Sequence, residues 1–91
     1  MRVKARVVFA GKVQGVFFRA NTLRCAKSLS IVGWVRNIDD GRVEAVFEGE
    51  EEDVQRAIEW CENKQPYAEV TSKEVEFSEP DGKHREFSIL P

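Results

Sequence analysis

IVGWVRNIDDGRVEAVFE, running from Ile31 to Glu48, reads as two strands folded about a turn. Ile31 to Arg36 is rich in β-branched and aromatic residues, and Val43 to Glu48 alternates with the two-residue period of a strand that buries one face. Asp39-Asp40-Gly41 between them is hairpin chemistry, because these residues tolerate the left-handed backbone of a tight turn. The spacing predicts an antiparallel pair.

Outward from the hairpin the period changes on both sides. Toward the N-terminus, Thr22, Cys25, Ala26 and Leu29 lie at i, i+3, i+4 and i+7, one face of a helix that starts near Phe18. Gly11 and Gly15 bracket a short loop before it, and Val3, Ala5, Val7 and Phe9 alternate as a first strand. Toward the C-terminus, Gly49 ends the third strand and the carboxylates Glu50 to Asp53 suit a solvated helix start. Val54, Ala57, Ile58 and Cys61 then repeat the helical spacing to about Asn63. Pro66 closes that connection, Val70 to Phe77 forms a less regular strand, and Pro80-Asp81-Gly82 turns into a short last strand with Phe87 and Ile89.

The order β-α-β-β-α-β predicts an α+β, ferredoxin-like sandwich: an antiparallel sheet with both helices on one face and a short extra C-terminal strand. Its first crossover makes strands one and two parallel with strand three between them. The segment Gly11 to Arg19 and the pair Arg36-Asn37 therefore converge at one sheet edge.

Ninety-one residues, 42% hydrophobic and 33% charged, suit one folded domain spanning 1–91 with a single core. A net charge of -2 gives no general attraction to nucleic acid or anionic membrane, so any anion has to be held locally. No apolar run approaches a membrane span, and Met1 leads into a charged alternating segment, which reads as cytoplasmic. Cys25, Cys61 and the single His84 lack zinc or redox spacing, so neither metal nor cofactor is expected. Both cysteines fall on apolar helical faces as small hydrophobes, with an interhelical disulfide as the alternative.

Gly11-Lys12-Val13-Gln14-Gly15-Val16-Phe17-Phe18-Arg19 joins a strand to a helix, and glycines let such a loop curl its N–H groups around an anion. The helix adds unsatisfied N–H groups and a positive dipole end, and Arg19 adds a planar cation matched to phosphate oxygens. GxxxxGK[ST] is absent, so this is not a Walker loop. Asn37 both donates and accepts, which suits holding a water beside phosphorus. Patterning alone equally describes an ordinary βα turn with a surface arginine, and an asparagine opening a hairpin. His84 reads as a solvated loop residue, and Trp34 and Trp60 as packing residues.

The two segments together, Val13-Gln14-Gly15-Val16-Phe17-Phe18-Arg19 and Gly33-Trp34-Val35-Arg36-Asn37 with Asp40-Gly41, closely resemble the acylphosphatase family. The likeness runs in register through Gly49 and more loosely through Pro66, Ala68 and Val70 to Phe87-Ser88-Ile89. It implies a ferredoxin-like fold and metal-free, cofactor-free hydrolysis of a small-molecule acyl phosphate to carboxylate and phosphate. It also implies that Arg19 and Asn37 are catalytic, Asn37 positioning the water, and that the backbone of Gln14, Gly15, Val16, Phe17 and Phe18 cradles the phosphate. A monomer without nucleic-acid or membrane partners and without a covalent phosphoenzyme is the expectation. Two positions depart from the family, Ser30 and Gln65, where it commonly carries glycine; both put local turns rather than the chemistry in question. An RNA-recognition module shares the element order, but Arg42 to Glu48 has one aromatic and two acids where that module needs a basic, aromatic-rich strand. An accessory domain of a larger protein is the other rival.

Overall fold

Alternation in the first strand puts Ala5, Val7 and Phe9 on one face, and all three are fully buried. The computed structural model describes residues 1–91. Its elements are β1 (Arg2–Lys12), α1 (Phe18–Ser28), β2 (Val32–Asn37), β3 (Val43–Glu50), α2 (Glu51–Asn63), β4 (Glu69–Ser78) and β5 (Phe87–Ile89), with a 3-10 turn at Asp39–Gly41. The sheet order is β4-β1-β3-β2-β5. The first four strands are antiparallel to their neighbours, whereas β5 joins the β2 edge in parallel, from Gly33↔Phe87 to Val35↔Ile89.

Two strand ends differ from the sequence expectation, and strand pairing accounts for both. β1 continues past Phe9 because a register shift at Ala10/Gly11 lets it stay paired with β4 as far as Lys12↔Glu69. Gly11 therefore serves the strand, and the loop begins at Val13. β3 runs through Gly49 to Glu50, since Val3↔Gly49 and Arg2↔Glu50 supply the ladder that a lone glycine would not.

The helices bury the faces their spacing indicates. α1 buries Phe18, Thr22 and Ala26, and α2 buries Val54, Ala57, Ile58 and Cys61. They cover Ala5, Val7 and Phe9 together with Val43, Ala45 and Phe47 of β3 and Val35 of β2. Phe9 meets Phe18 with ring centroids 5.2 Å apart, which fixes the first turn of α1 on the sheet. Both cysteines are free. Burial pushes the Cys61 thiol up to about 12, so it stays neutral and packs as a small hydrophobe.

The opposite face carries Lys4, Arg6, Glu44 and Glu48, and residues 79–86 cross it from the β4 edge to the β5 edge. Lys4 Nζ pairs with Asp81 at 2.9 Å, the Gly82 N–H donates to Glu48 at 3.1 Å, and the Gly33 N–H donates to the Glu86 carbonyl at 3.1 Å. This strap delivers β5 to its edge. Glu48, Asp81 and His84 lie close together, but Glu48 accepts from the Asp81 and Gly82 N–H groups and Asp81 is held by Lys4 and the Lys83 N–H. Their carboxylates are committed to pinning the strap.

Beside the strap, Glu44 is only 4% exposed and accepts from Arg6 and Arg36. Burial alone would raise its carboxyl, and the two guanidiniums outweigh it, leaving Glu44 below the usual range. Arg36 also lies over the Trp34 ring, 5.3 Å from its centroid. No helix is long and apolar enough to cross a membrane.

Candidate active site

Strand register brings the two site segments together. Phe9 near the end of β1 and Asn37 at the end of β2 both pair with Val43 of β3. The loop Val13 to Phe17 therefore leaves the sheet beside Asn37.

Val13 and Val16 bury their side chains and anchor that loop from below. Gln14 anchors it from the side: its Nε2 donates to the Ile38 carbonyl at 3.1 Å and to the Arg42 carbonyl at 2.9 Å. Gly15 has φ 75° and Phe17 φ 61°, and these two left-handed residues turn the intervening chain inward. The N–H groups of Gly15, Val16 and Phe17 donate to no backbone carbonyl. α1 then starts at Phe18 with no side-chain cap and no acid in its first turn, so its leading N–H groups and dipole are also unopposed.

Arg19 sits in that first turn, half-buried, and takes part in none of the chain's ion pairs. Its charge is free for a ligand. Asn37 presents a buried Oδ1 without a protein donor. A buried acceptor left alone is costly, so the position suits a bound water or ligand that donates to it.

A cleft of ≈ 360 Å³ unites these groups: Gly15, Phe17, Phe18, Arg19, Asn37 and Ile89 line it, with Val13 and Ala20. A larger depression of ≈ 650 Å³ between the helices, lined by Arg24, Cys25, Arg56 and Trp60 among others, contains neither the loop nor Asn37. The larger depression also carries Arg24, Arg56 and Lys64, but only the smaller cleft joins a cation to free loop amides and an orphaned amide oxygen.

Of the residues named from sequence, Arg19 and Asn37 share the cleft with Gly15, Phe17 and Phe18. The Val16 side chain is buried, which leaves its backbone N–H to contribute, and the Gln14 side chain turns to the hairpin as a clamp. His84 belongs to the strap near Glu48, roughly 17 Å along β3 from Val43 at about 3.4 Å per residue. Sequence reasoning missed Ile89 and the Gln14 clamp. Neither had a local signal, because one depends on β5 returning to the β2 edge and the other on where two carbonyls lie across the turn.

Comparison with known proteins identifies the family. The acylphosphatase family model matches residues 5–89. An acylphosphatase of Haloquadratum walsbyi is 52% identical over 81 residues, covering 89% of this chain and 87% of its own. One from Roseiflexus sp. is 46% identical over 87 residues, covering 96% and 94%. The crystal structure of acylphosphatase from Bacillus subtilis superposes with a TM-score of 0.93 at 38% identity, covering 98% of this chain and 99% of that one. A family match across nearly the whole sequence, together with relatives about half identical over most of the chain, establishes that the chain belongs to the acylphosphatase family.

Proposed function

We propose that this chain cleaves acyl phosphates by direct attack of water on phosphorus, with Arg19 and the Gly15 to Phe18 amides holding the phosphoryl group and Asn37 holding the water. The observation that carries the reading is the single cleft shared by an unpaired guanidinium, free loop amides and the orphaned Asn37 Oδ1.

The leaving group explains why so sparse a site suffices. A carboxylate, whose conjugate acid has a pKa of roughly 4, departs without a general acid. Water adds to phosphorus, the P–O bond to the acyl group breaks with its electron pair on the carboxylate, and the water proton passes to phosphate or solvent. The protein supplies position and charge. Arg19 and the amides stabilise the equatorial oxygens as the bond loosens, and the Asn37 amide keeps the nucleophile in line.

No Ser, Thr, Cys, His, Asp, Glu, Tyr or Lys lines the cleft, which supports a route without a covalent phosphoenzyme. The same lining offers no carboxylate or imidazole to a hard cation, which supports metal independence. Glu44 and Glu48 on the β3 face that an RNA-recognition module would use are engaged in ion pairs, which favours a small-molecule substrate over nucleic acid. We take the 91 residues to act as one monomeric, cytoplasmic domain.

Hydrolysis of benzoyl phosphate in excess chelator tests the reading, with inorganic phosphate as inhibitor. Turnover that survives chelation and competitive inhibition by phosphate are expected. Loss of activity on chelation would overturn metal independence, and a trapped phosphoenzyme would overturn direct attack.

A further inference from the structure

Between α1 and α2 the depression of ≈ 650 Å³ shares no lining residue with the cleft, and its chemistry is of another kind. Its floor is apolar: Cys25, Leu29 and Trp60 are partly buried there and pack against the core. Burial raises the Cys25 thiol, which stays neutral and belongs to that floor. The rim is cationic, with Arg24, Arg56 and Lys64 all exposed. Neither Arg24 nor Lys64 takes part in an ion pair, and Arg56 reaches only Asp53, at 3.5 Å. Glu59, the one acid of the lining, pairs with none of the three, so the lining keeps two positive charges in excess on a chain whose net charge is -2. Helix dipoles account for Lys64 alone, just past the end of α2. Arg24 and Arg56 lie inside their helices, away from the last turns.

We propose that this depression is a second binding site, for a small aromatic dianion of the dicarboxylate class. The ring rests on Trp60 and Leu29, and the carboxylates reach toward Arg24, Arg56 and Lys64. An indole gives a planar ring a large apolar contact, and guanidinium forks match carboxylate oxygens in pairs. Charges of one sign gathered around an apolar hollow focus their field into it, which favours an anion over a neutral ring and a dianion over a monoanion. Inorganic phosphate has the charge but no apolar body to leave water against the floor. The volume of ≈ 650 Å³ lies within the range of ligand sites, about 300–1,000 Å³, and is ample for two fused rings. The site is independent of the hydrolase reading, because it uses no residue of the cleft.

The test titrates naphthalene dicarboxylate into the ¹⁵N-labelled chain, follows the Trp60 indole N–H by NMR, and repeats the titration with neutral naphthol. Saturable shifts at the Trp60 indole are expected with the dianion and not with naphthol, while the Trp34 indole on β2 stays in place. Arg24→Gln and Lys64→Gln should each weaken binding about threefold, as expected for exposed ion pairs, and Glu59→Gln should tighten it by a similar factor. All three positions are exposed, so the substitutions leave the core intact, and a gain of affinity cannot come from a damaged fold. Excess inorganic phosphate should not displace the dianion. Absence of a saturable Trp60 shift, equal binding of naphthol, an affinity unchanged in all three variants, or displacement by phosphate would each overturn the second site and leave the hydrolase reading standing.

Discussion

In the proposed mechanism Arg19 and Asn37 do different work on the two sides of one phosphorus atom, and their substitution should separate those roles. Arg19→Ala removes a charge-assisted contact to the phosphoryl oxygens and should lower kcat/KM by about 2–4 kcal/mol, roughly 30- to 1,000-fold, while weakening inhibition by phosphate. Asn37→Ala should lower kcat with phosphate inhibition nearly intact, because the lost partner is water rather than substrate. Steady-state kinetics with phosphate as inhibitor checks both, and equal loss of phosphate affinity in the two variants would contradict the division. Both residues were legible through the family-like motifs that contain them. Spacing alone fits an ordinary turn residue equally well in each case, because nothing local to Arg19 says that no carboxylate will fold against it. Ile89 and the Gln14 side chain stayed hidden because their roles are set by partners far along the chain.

At the level of elements, the departure at Ser30 has a physical consequence. The Ile31 N–H donates to the Ala26 carbonyl at 2.9 Å and the Ser30 N–H to the Lys27 carbonyl at 3.1 Å, closing α1 with a Schellman motif. Ser30 occupies its left-handed position at φ 58°, where glycine avoids a Cβ penalty. Ser30→Gly should therefore stabilise the chain by about 0.5–1 kcal/mol, after the greater freedom of glycine in the unfolded state is set against that penalty. Urea unfolding measures it, and an unchanged or lower midpoint would contradict the strain argument. The other departure, Gln65, is buried and donates from Nε2 to the Phe18 carbonyl at 3.1 Å and to Thr22 Oγ1 at 2.8 Å. It ties the chain after α2 to the turn that carries Arg19. Helix faces were readable because their period repeats over several turns. The ends of β1 and β3 were not, since bulges and ladders depend on the partner strand.

Across the whole molecule, the strap decides where β5 lies and so where Ile89 stands. Lys4 and then the Lys83 N–H hold the Asp81 carboxyl at about 2, with His84 adding a smaller pull in the same direction. A carboxyl depressed on folding stabilises the native state above its unfolded value of roughly 3.9, and that contribution fades as pH falls toward 2. Tm should fall over that window, and Asp81→Asn should flatten the fall; an unchanged slope would detach Asp81 from the strap's stability. The crossing by residues 79–86 is a property of strand order alone, and neither Pro80 nor Gly82 announces which face the chain will take.

The proposed mechanism requires the free loop amides beside Arg19 to bind a phosphate ion. Titrating inorganic phosphate into the ¹⁵N-labelled chain and following each amide by NMR tests it most directly. Saturable shifts largest at Gly15 to Arg19 are predicted. Shifts that fail to saturate there, or that are largest between the two helices, would contradict it.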